Sequence, residues 1–222
     1  INPFVNRDYG IWVRGYGLSV VVPDLALLEV GVEVRSSDVA TGLSKANVAM
    51  DSIYDVLEHR GVRENDIQTN NFSIQPIYIT EEHGTKLNRY YKQVLTGYKI
   101  VNQLKVKIRD LRDVGRIIDR VTYAGGDLVG IQGISFTVED SSESKKLARE
   151  AAVIDAVEKA SQLAMSSEVK LGKLLYISEV NVQNTPLRSD MMMYRESAVP
   201  STTISSGTLD VQVIVDAVFE ID

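Results

Sequence analysis

The sequence predicts an α+β fold in which three helices pack on a largely antiparallel β-sheet, in the order ββαββαβαββ. Strands are predicted where apolar and polar residues alternate, most regularly at residues 28–34 and 209–221. Helices are predicted where apolar residues recur every three or four positions, as at residues 39–57. One strand, capping aspartate and long helix, residues 133–167, form the unit on which the other elements are expected to pack.

The first two strands, at residues 11–22 and 28–34, are expected to form a hairpin around a Pro-Asp turn. Gly15 and Gly17 lie on one side of the first strand because side chains alternate along a strand. The bare backbone at these glycines predicts that a helix packs close to it.

The first two helices are predicted from their apolar spacing and from signals at their ends. The first helix follows a capping Ser36 or Ser37 and ends near Gly61, because glycine readily takes the left-handed conformation that ends a helix. The second helix is shorter, opens at Asp110 and closes at Gly125.

The third helix is predicted at residues 141–167, with Asp140 and Glu143 in a capping-box pattern. Its buried stripe is mostly alanine, and small side chains let a helix approach a sheet closely. This stripe consists of Ala152, Val153, Ala156, Val157, Ala160, Leu163 and Ala164.

The same helix carries a second, weaker apolar stripe. We interpret it as the broad edge of the same core face; the alternative is contact with another subunit. The stripe consists of Leu147, Ala151, Ile154 and Met165.

Two long extended segments, residues 67–80 and 90–110, predict a β-hairpin. The first arm alone would span about 46 Å at ~3.3 Å per residue, which is longer than a small domain needs. Part of the hairpin at residues 67–110 is therefore expected to project. Asn102 falls on its apolar face, where it would need hydrogen-bond partners.

The chain is assigned to a single domain, residues 11–222, preceded by a tether at residues 1–10. A strand is predicted at residues 174–182. Residues 183–207 are polar, contain two prolines and predict a long loop before the last strand.

Composition narrows the class of protein. The chain has 222 residues, a formal net charge of −6 and no cysteine. Disulfides, thiolate zinc sites and cysteine nucleophiles are thereby excluded, and the acidic balance disfavours nucleic acid as a partner. No apolar run is long enough for a transmembrane helix. Because the chain begins without methionine, we expect that something was removed from its N-terminus, either a signal or membrane-anchoring segment or simply residues outside the chosen boundaries.

The usual catalytic patterns are absent from the sequence. Its two histidines, His59 and His83, have no HExxH neighbours, and there is no GxSxG or phosphate-binding glycine loop. The acidic pair Glu81 and Glu82 is typical of a solvated turn rather than of a hydrolytic cleft. We therefore expect no catalytic residues and no cofactor, and a protein that is not an enzyme.

Two weaker patterns suggest ligands. Met191, Met192 and Met193 could bind copper through thioethers, although an ordinary loop is the preferred interpretation. Lysines and tyrosines along residues 90–107 could form a nucleic-acid platform, but the acidic chain favours a solvated strand face. No small-molecule ligand is identified.

A series of short motifs recurs in a defined order along residues 13–221. With these motifs the chain resembles the SIMPL-domain family of bacterial exported proteins. The motifs are Gly15-Tyr16-Gly17, Pro23-Asp24, Gly31-Val32-Glu33, Asp66-Ile67-Gln68-Thr69, Phe72-Ser73, Pro76, Gly97-Tyr98, Asn102, Asp110-Leu111, Gly115, Asp119, Ala124-Gly125, Gly133-Ile134-Ser135-Phe136, Asp140, Ala148-Arg149-Glu150-Ala151, Asp155-Ala156, Lys159-Ala160 and Leu171-Gly172.

The resemblance implies an α+β fold, a periplasmic, secreted or outward-facing membrane-anchored location, and homo-oligomers in some members. It supplies no catalytic residues. The loop that contains Met191 to Met193 is often proline-rich in relatives but is rich in serine and threonine here.

The leading hypothesis is a non-enzymatic exported protein that self-associates through the hairpin at residues 67–110 and the loop near Met191, as a scaffold or stress-related envelope protein. The alternative is a periplasmic module that binds a ligand or metal through the methionines or a pocket beside Asn102; an enzyme of unrecognised type ranks third. Membrane association would come from a segment before residue 1. The candidate interface residues are Tyr78, Glu81, Glu82, Arg89, Tyr90, Tyr91 and Met192.

Overall fold

The computed structural model describes residues 10–85, 88–180, 187–188 and 202–222. Two short 3-10 turns, Glu64–Asp66 and Gly126–Leu128, accompany the main elements. These elements are β1 (Ile11–Val21), β2 (Leu25–Ser36), α1 (Val39–His59), β3 (Ile67–Thr85), β4 (Asn88–Ile108), α2 (Val114–Gly125), β5 (Val129–Thr137), α3 (Ser142–Ser166), β6 (Leu171–Val180), β7 (Leu187–Arg188) and β8 (Leu209–Ile221).

The predicted α+β class and the antiparallel pairing are confirmed, but the strands form two four-stranded sheets. The chain divides into two compact units. Of the described residues, unit 1 contains 10–23, 138–180, 187–188 and 207–222, and unit 2 contains 24–85, 88–137 and 202–206.

The predicted hairpin of the first two strands is wrong. β1 pairs with β8 in one sheet, whereas β2 pairs with β4 and β5 in the other. The Pro-Asp step between β1 and β2 is where the chain passes from unit 1 to unit 2. Alternating polarity identified both strands correctly, but it carries no information about which strand each one pairs with.

The predicted strand–cap–helix unit is also divided. β5 pairs with β2 in unit 2, and α3 belongs to unit 1. The Asp140 carboxylate accepts a hydrogen bond from the Ser142 amide at 2.9 Å, so it does serve the helix start. Glu143 does not complete the predicted capping box. Its carboxylate lies 3.9 Å from the Lys146 ammonium.

In unit 1, α3 packs on a sheet with the strand order β1-β8-β6. The close approach predicted at Gly15 and Gly17 is confirmed. A Cβ added to Gly15 would overlap the carbonyl oxygen of Ala152, and one added to Gly17 would overlap that of Ala148. The helix meets this backbone with a row of fully or almost fully buried alanines, spaced four residues apart: Ala148, Ala152, Ala156, Ala160 and Ala164.

The second stripe of α3 is not the edge of that core. Leu147, Ile154 and Met165 are 50%, 59% and 76% exposed. At 100° per residue they lie opposite the alanine row, so the sheet cannot reach them. Val157 and Leu163 from the predicted buried stripe are also exposed.

In unit 2, α1 and α2 contribute to one core with a sheet in the order β3-β4-β2-β5. α1 is capped by Asp38, whose carboxylate accepts from the Thr41 amide at 2.8 Å, rather than by Ser36 or Ser37. The predicted end at Gly61 is confirmed, with a positive φ of 77°. The core consists of Ala26, Leu28, Val30, Val32, Val34, Ala46, Ala49, Met50, Ile53, Leu57, Ile100, Leu104, Val106, Ile108, Val114, Ile117, Ile118 and Val121.

The long hairpin is confirmed as β3 and β4, which pair from Ile67 opposite Val106 to Thr85 opposite Asn88. β2 pairs with β4 only as far as Tyr98. Within the described part of the chain, residues 77–85 and 88–97 therefore pair only with each other, and we call this two-stranded part the ribbon. It extends roughly 30 Å at ~3.3 Å per residue.

The predicted loop at residues 183–207 contains the short strand β7, which pairs with the start of β8. Near its end, the Thr202 amide and hydroxyl donate to the Asp119 carboxylate at 3.2 and 2.6 Å. Ile204 packs on the core of unit 2. The methionines at 191–193 and the tether at residues 1–9 lie outside the described residues.

The close packing of α3 on β1 generates a stability prediction. Substitution of Gly17 by alanine should lower the free energy of unfolding by about 1–3 kcal/mol, because the new methyl group meets backbone that can yield only by shifting the helix. Urea unfolding measures the effect.

The matched control is Gly133→Ala, because a Cβ at Gly133 has no atom within 4 Å. This control should leave the unfolding free energy nearly unchanged. Equal losses in the two variants would contradict the assigned packing.

Candidate functional site

A polar clamp joins α3 to the free edge of β1. The Tyr16 amide donates to the Asp155 carboxylate at 2.7 Å, and the Lys159 ammonium donates to the Arg14 carbonyl at 3.0 Å. Lys159 also donates to Asp155 at 2.5 Å and lies 4.7 Å from the Tyr16 ring centroid. Because β8 is the only strand paired with β1 among the described residues, these contacts occupy backbone groups that an uncovered sheet edge would expose.

The electrostatics of the clamp favour an ionised carboxylate. The hydrogen bond from Lys159, followed by the one from the Tyr16 amide, lowers the pKa of Asp155. Three motifs of the family resemblance meet here: Gly15-Tyr16-Gly17, Asp155-Ala156 and Lys159-Ala160. Their contacts account for packing and for protection of the strand edge.

Two exposed ion pairs support the same unit. Arg14 binds Asp216 on β8 through two hydrogen bonds of 2.6 and 3.0 Å. Arg149 of α3 binds Glu179 of β6 at 2.7 Å. The arginines lower the pKa of Asp216 and of Glu179, chiefly through these hydrogen bonds.

The ribbon brings together six of the seven predicted interface residues, and the seventh, Met192, lies outside the described part of the chain. Tyr78, Tyr90 and Tyr91 are 54%, 59% and 68% exposed. Glu82 pairs with Arg89 at 3.1 Å. The structure therefore places these residues on one element and leaves their aromatic rings largely open to solvent.

The tip of the ribbon has one aromatic contact. The rings of His83 and Tyr90 stack with centroids 5.7 Å apart. The Nε2 atom of His83 lies 3.2 Å from a carboxylate oxygen of Glu81, without the geometry of a hydrogen bond. The tip is thus ordered by cross-strand pairing and ring contact rather than by a catalytic hydrogen-bond relay.

Other candidates from the sequence are dispersed. The His59 ring lies 2.6 Å from the Asp55 carbonyl oxygen in the last turn of α1. The Oδ1 atom of Asn102 is buried and has no hydrogen-bond partner. On the basic strand face, Lys99 pairs with Glu33 at 2.7 Å, which agrees with a solvated, charge-balanced surface.

A pocket that the sequence analysis missed lies in unit 2. It has a volume of about 220 Å³ and is formed by the end of α1, the end of β4 and the start of α2. Asp66, the only buried charged residue among those the structure describes, pairs there with Arg109. The signal in the sequence is the high density of arginine and aspartate in residues 107–113 and at 60–66, which becomes a cluster only after folding.

No group of three or more histidine, aspartate or glutamate side chains suited to a metal ion occurs within residues 10–85, 88–180, 187–188 and 202–222. The methionine triplet lies outside these ranges. In the same described ranges, no helix combines the length and apolar character that a membrane crossing requires.

The geometry defines a class of protein: an antiparallel α+β protein that carries a long exposed β-ribbon and a clamp that covers a sheet edge. The chain belongs to the SIMPL family, whose model is described as "Protein of unknown function (DUF541)" and matches residues 11–219.

Several curated proteins are similar to the chain along most of its length. The "26 kDa periplasmic immunogenic protein" of Brucella melitensis is 30% identical over 224 residues, covering 99% of this chain and 88% of that protein. The "Uncharacterized protein YggE" of Escherichia coli (strain K12) is 28% identical over 204 residues, covering 90% and 78%. The protein of the same name from Edwardsiella ictaluri is 26% identical over 193 residues, covering 87% and 77%.

The clamp generates a pH-dependent prediction. Because the pKa of Asp155 is lowered by folding, its contribution to stability is present above the carboxyl's ordinary pKa and is lost as the pH falls through the lower, folded value. Asp155→Asn should therefore reduce the unfolding free energy by about 1 kcal/mol at neutral pH. The difference from wild type should shrink in acid, as measured by urea unfolding across pH.

Glu158→Gln serves as the control, since Glu158 lies on the same helix and makes no ion pair within the described residues. A pH-independent loss in Asp155→Asn would rule out the ionic clamp.

Proposed function

We propose that the protein is a non-enzymatic component of the cell envelope that self-associates through the ribbon and acts as a scaffold. The envelope location is supported by the relative from Brucella melitensis, which is named a periplasmic protein. Self-association is supported by the ribbon, which is the single observation that carries the proposal.

The ribbon extends past the other strands of its sheet. An isolated pair of strands is marginally stable in water, and among the described residues no third strand pairs with the part of β4 that precedes Tyr98. Within the same residues both edges of the ribbon are open to pairing or packing by another chain. A second copy that packed on the ribbon would bury side chains that no other described strand of unit 2 covers.

The side chains of the ribbon have the composition of an interface. Tyrosine and arginine are enriched in the energetically dominant parts of protein interfaces, and the ribbon presents both types in exposed positions. The exposed large hydrophobic residues of the ribbon occur on both of its faces. They are Tyr78, Ile79, Tyr90, Tyr91 and Leu95.

The charges of the ribbon are suited to a symmetric contact. Glu81 and Glu82 lie on the first arm, and Arg89 and Lys92 lie on the second. In a two-fold contact the same surface of each copy faces the other, so the acidic arm of one copy can face the basic arm of its partner. This arrangement favours a second copy of the chain as the partner.

The experiment is a solution mass by light scattering across protein concentration. Wild type should form assemblies whose mass is a multiple of the 24.6 kDa chain. Replacement of residues 81–92 by Asn-Gly joins Thr80 to Gln93, which are already paired, through a favoured two-residue turn. This variant should be monomeric.

A matched pair of point variants separates the ribbon from general surface effects. Tyr91→Ser should weaken self-association about tenfold or more, because exposed aromatic residues dominate many interfaces. Tyr123→Ser removes an exposed tyrosine from α2 and should have no effect. A wild type that stays monomeric, or a ribbon replacement that assembles as wild type does, would refute the proposal.

A further inference from the structure

The pocket of unit 2 is lined by four cationic residues and three carboxylates, a formal balance of +1 in a chain whose net charge is −6. Two of the cationic residues belong to the segment that follows α1 and two to the end of β4, so cations distant in sequence meet around one cavity of about 220 Å³. The four are Arg60, Arg63, Lys107 and Arg109.

The three carboxylates of the pocket are already engaged by arginines. Asp66 pairs with Arg109. Asp113 lies 3.4 Å from Arg60 and 3.5 Å from Arg116. Asp110, the third carboxylate, binds Arg112 at 3.0 and 3.2 Å, which lowers the pKa of Asp110. The acidic lining thus orients arginines and does not offer an open site for a cation.

Two cationic residues of the lining are not engaged by a carboxylate among the described residues. Arg63 and Lys107 are exposed and have no carboxylate within ion-pair distance among the described residues. Arg60 has five N–H donors in a planar fork, of which one is directed to Asp113. The pocket therefore combines one oriented guanidinium with two cations that are available to a ligand.

We propose that this pocket binds a phosphate group, either as inorganic phosphate or as a monoester carried by a lipid headgroup. A tetrahedral oxyanion with two negative charges offers enough acceptors for Arg60, Arg63 and Lys107 together. Arg109, held by the buried Asp66, forms part of the wall of the site. This inference is independent of the ribbon, because the pocket lies at the opposite end of the β3–β4 pairing from the ribbon.

The test is calorimetric titration of the full chain with inorganic phosphate at low ionic strength, beside flotation with vesicles of phosphatidic acid and, separately, of phosphatidylcholine. The site variant is Arg63→Gln with Lys107→Gln. The control, Arg35→Gln with Lys45→Gln, removes the same two residue types from exposed positions elsewhere in unit 2. Equal unfolding midpoints verify that both variants fold.

Wild type and the control should bind the phosphate group equally, and the site variant should lose at least tenfold in affinity. Binding of inorganic phosphate assigns a free ligand, and binding of phosphatidic acid vesicles alone assigns a headgroup. The proposal is overturned if wild type binds neither probe, or if the control weakens as much as the site variant. A negative result for phosphate binding would not change the mass of the assemblies that the protein is proposed to form through the ribbon. The two proposals are therefore distinguishable.

Discussion

The close contact between α3 and β1 is the constraint on which unit 1 depends. It requires glycine on the strand and alanine on the helix, because larger side chains on either side would separate the two backbones. Once the helix lies this close, Asp155 and Lys159 reach the backbone at the open edge of β1. The close packing and the protection of the strand edge therefore both follow from the short distance between α3 and β1.

In unit 2, the long strands at the sheet edge are not covered in the same way. There α1 and α2 cover one sheet face, but β3 and β4 continue past β2 as the ribbon. One unit thus covers its exposed strand with its own helix, whereas the other leaves a long pair of strands open. This contrast is the physical reason for assigning packing to the clamp and assembly to the ribbon.

The sequence predicted individual elements better than their partners. Periodicity located the strands, the helices and the glycine–alanine contact, since each depends on residues close in sequence. It did not separate the two sheets, because the pairing of β1 with β8 joins distant segments. It misassigned Leu147 and Ile154, since an apolar stripe looks the same whether it is covered or exposed. The pocket at the end of α1 was missed because Arg60, Asp66 and Arg109 are distant in sequence and meet only after folding.

The most direct test of assembly through the ribbon is a charge exchange followed by light scattering. One variant carries Glu81→Lys and Glu82→Lys, and the other carries Arg89→Glu and Lys92→Glu. Each alone should be monomeric, because both arms then carry like charge. An equimolar mixture should recover the wild-type mass, since each basic arm again faces an acidic one. A mixture that stays monomeric, or single variants that assemble as wild type does, would contradict the account.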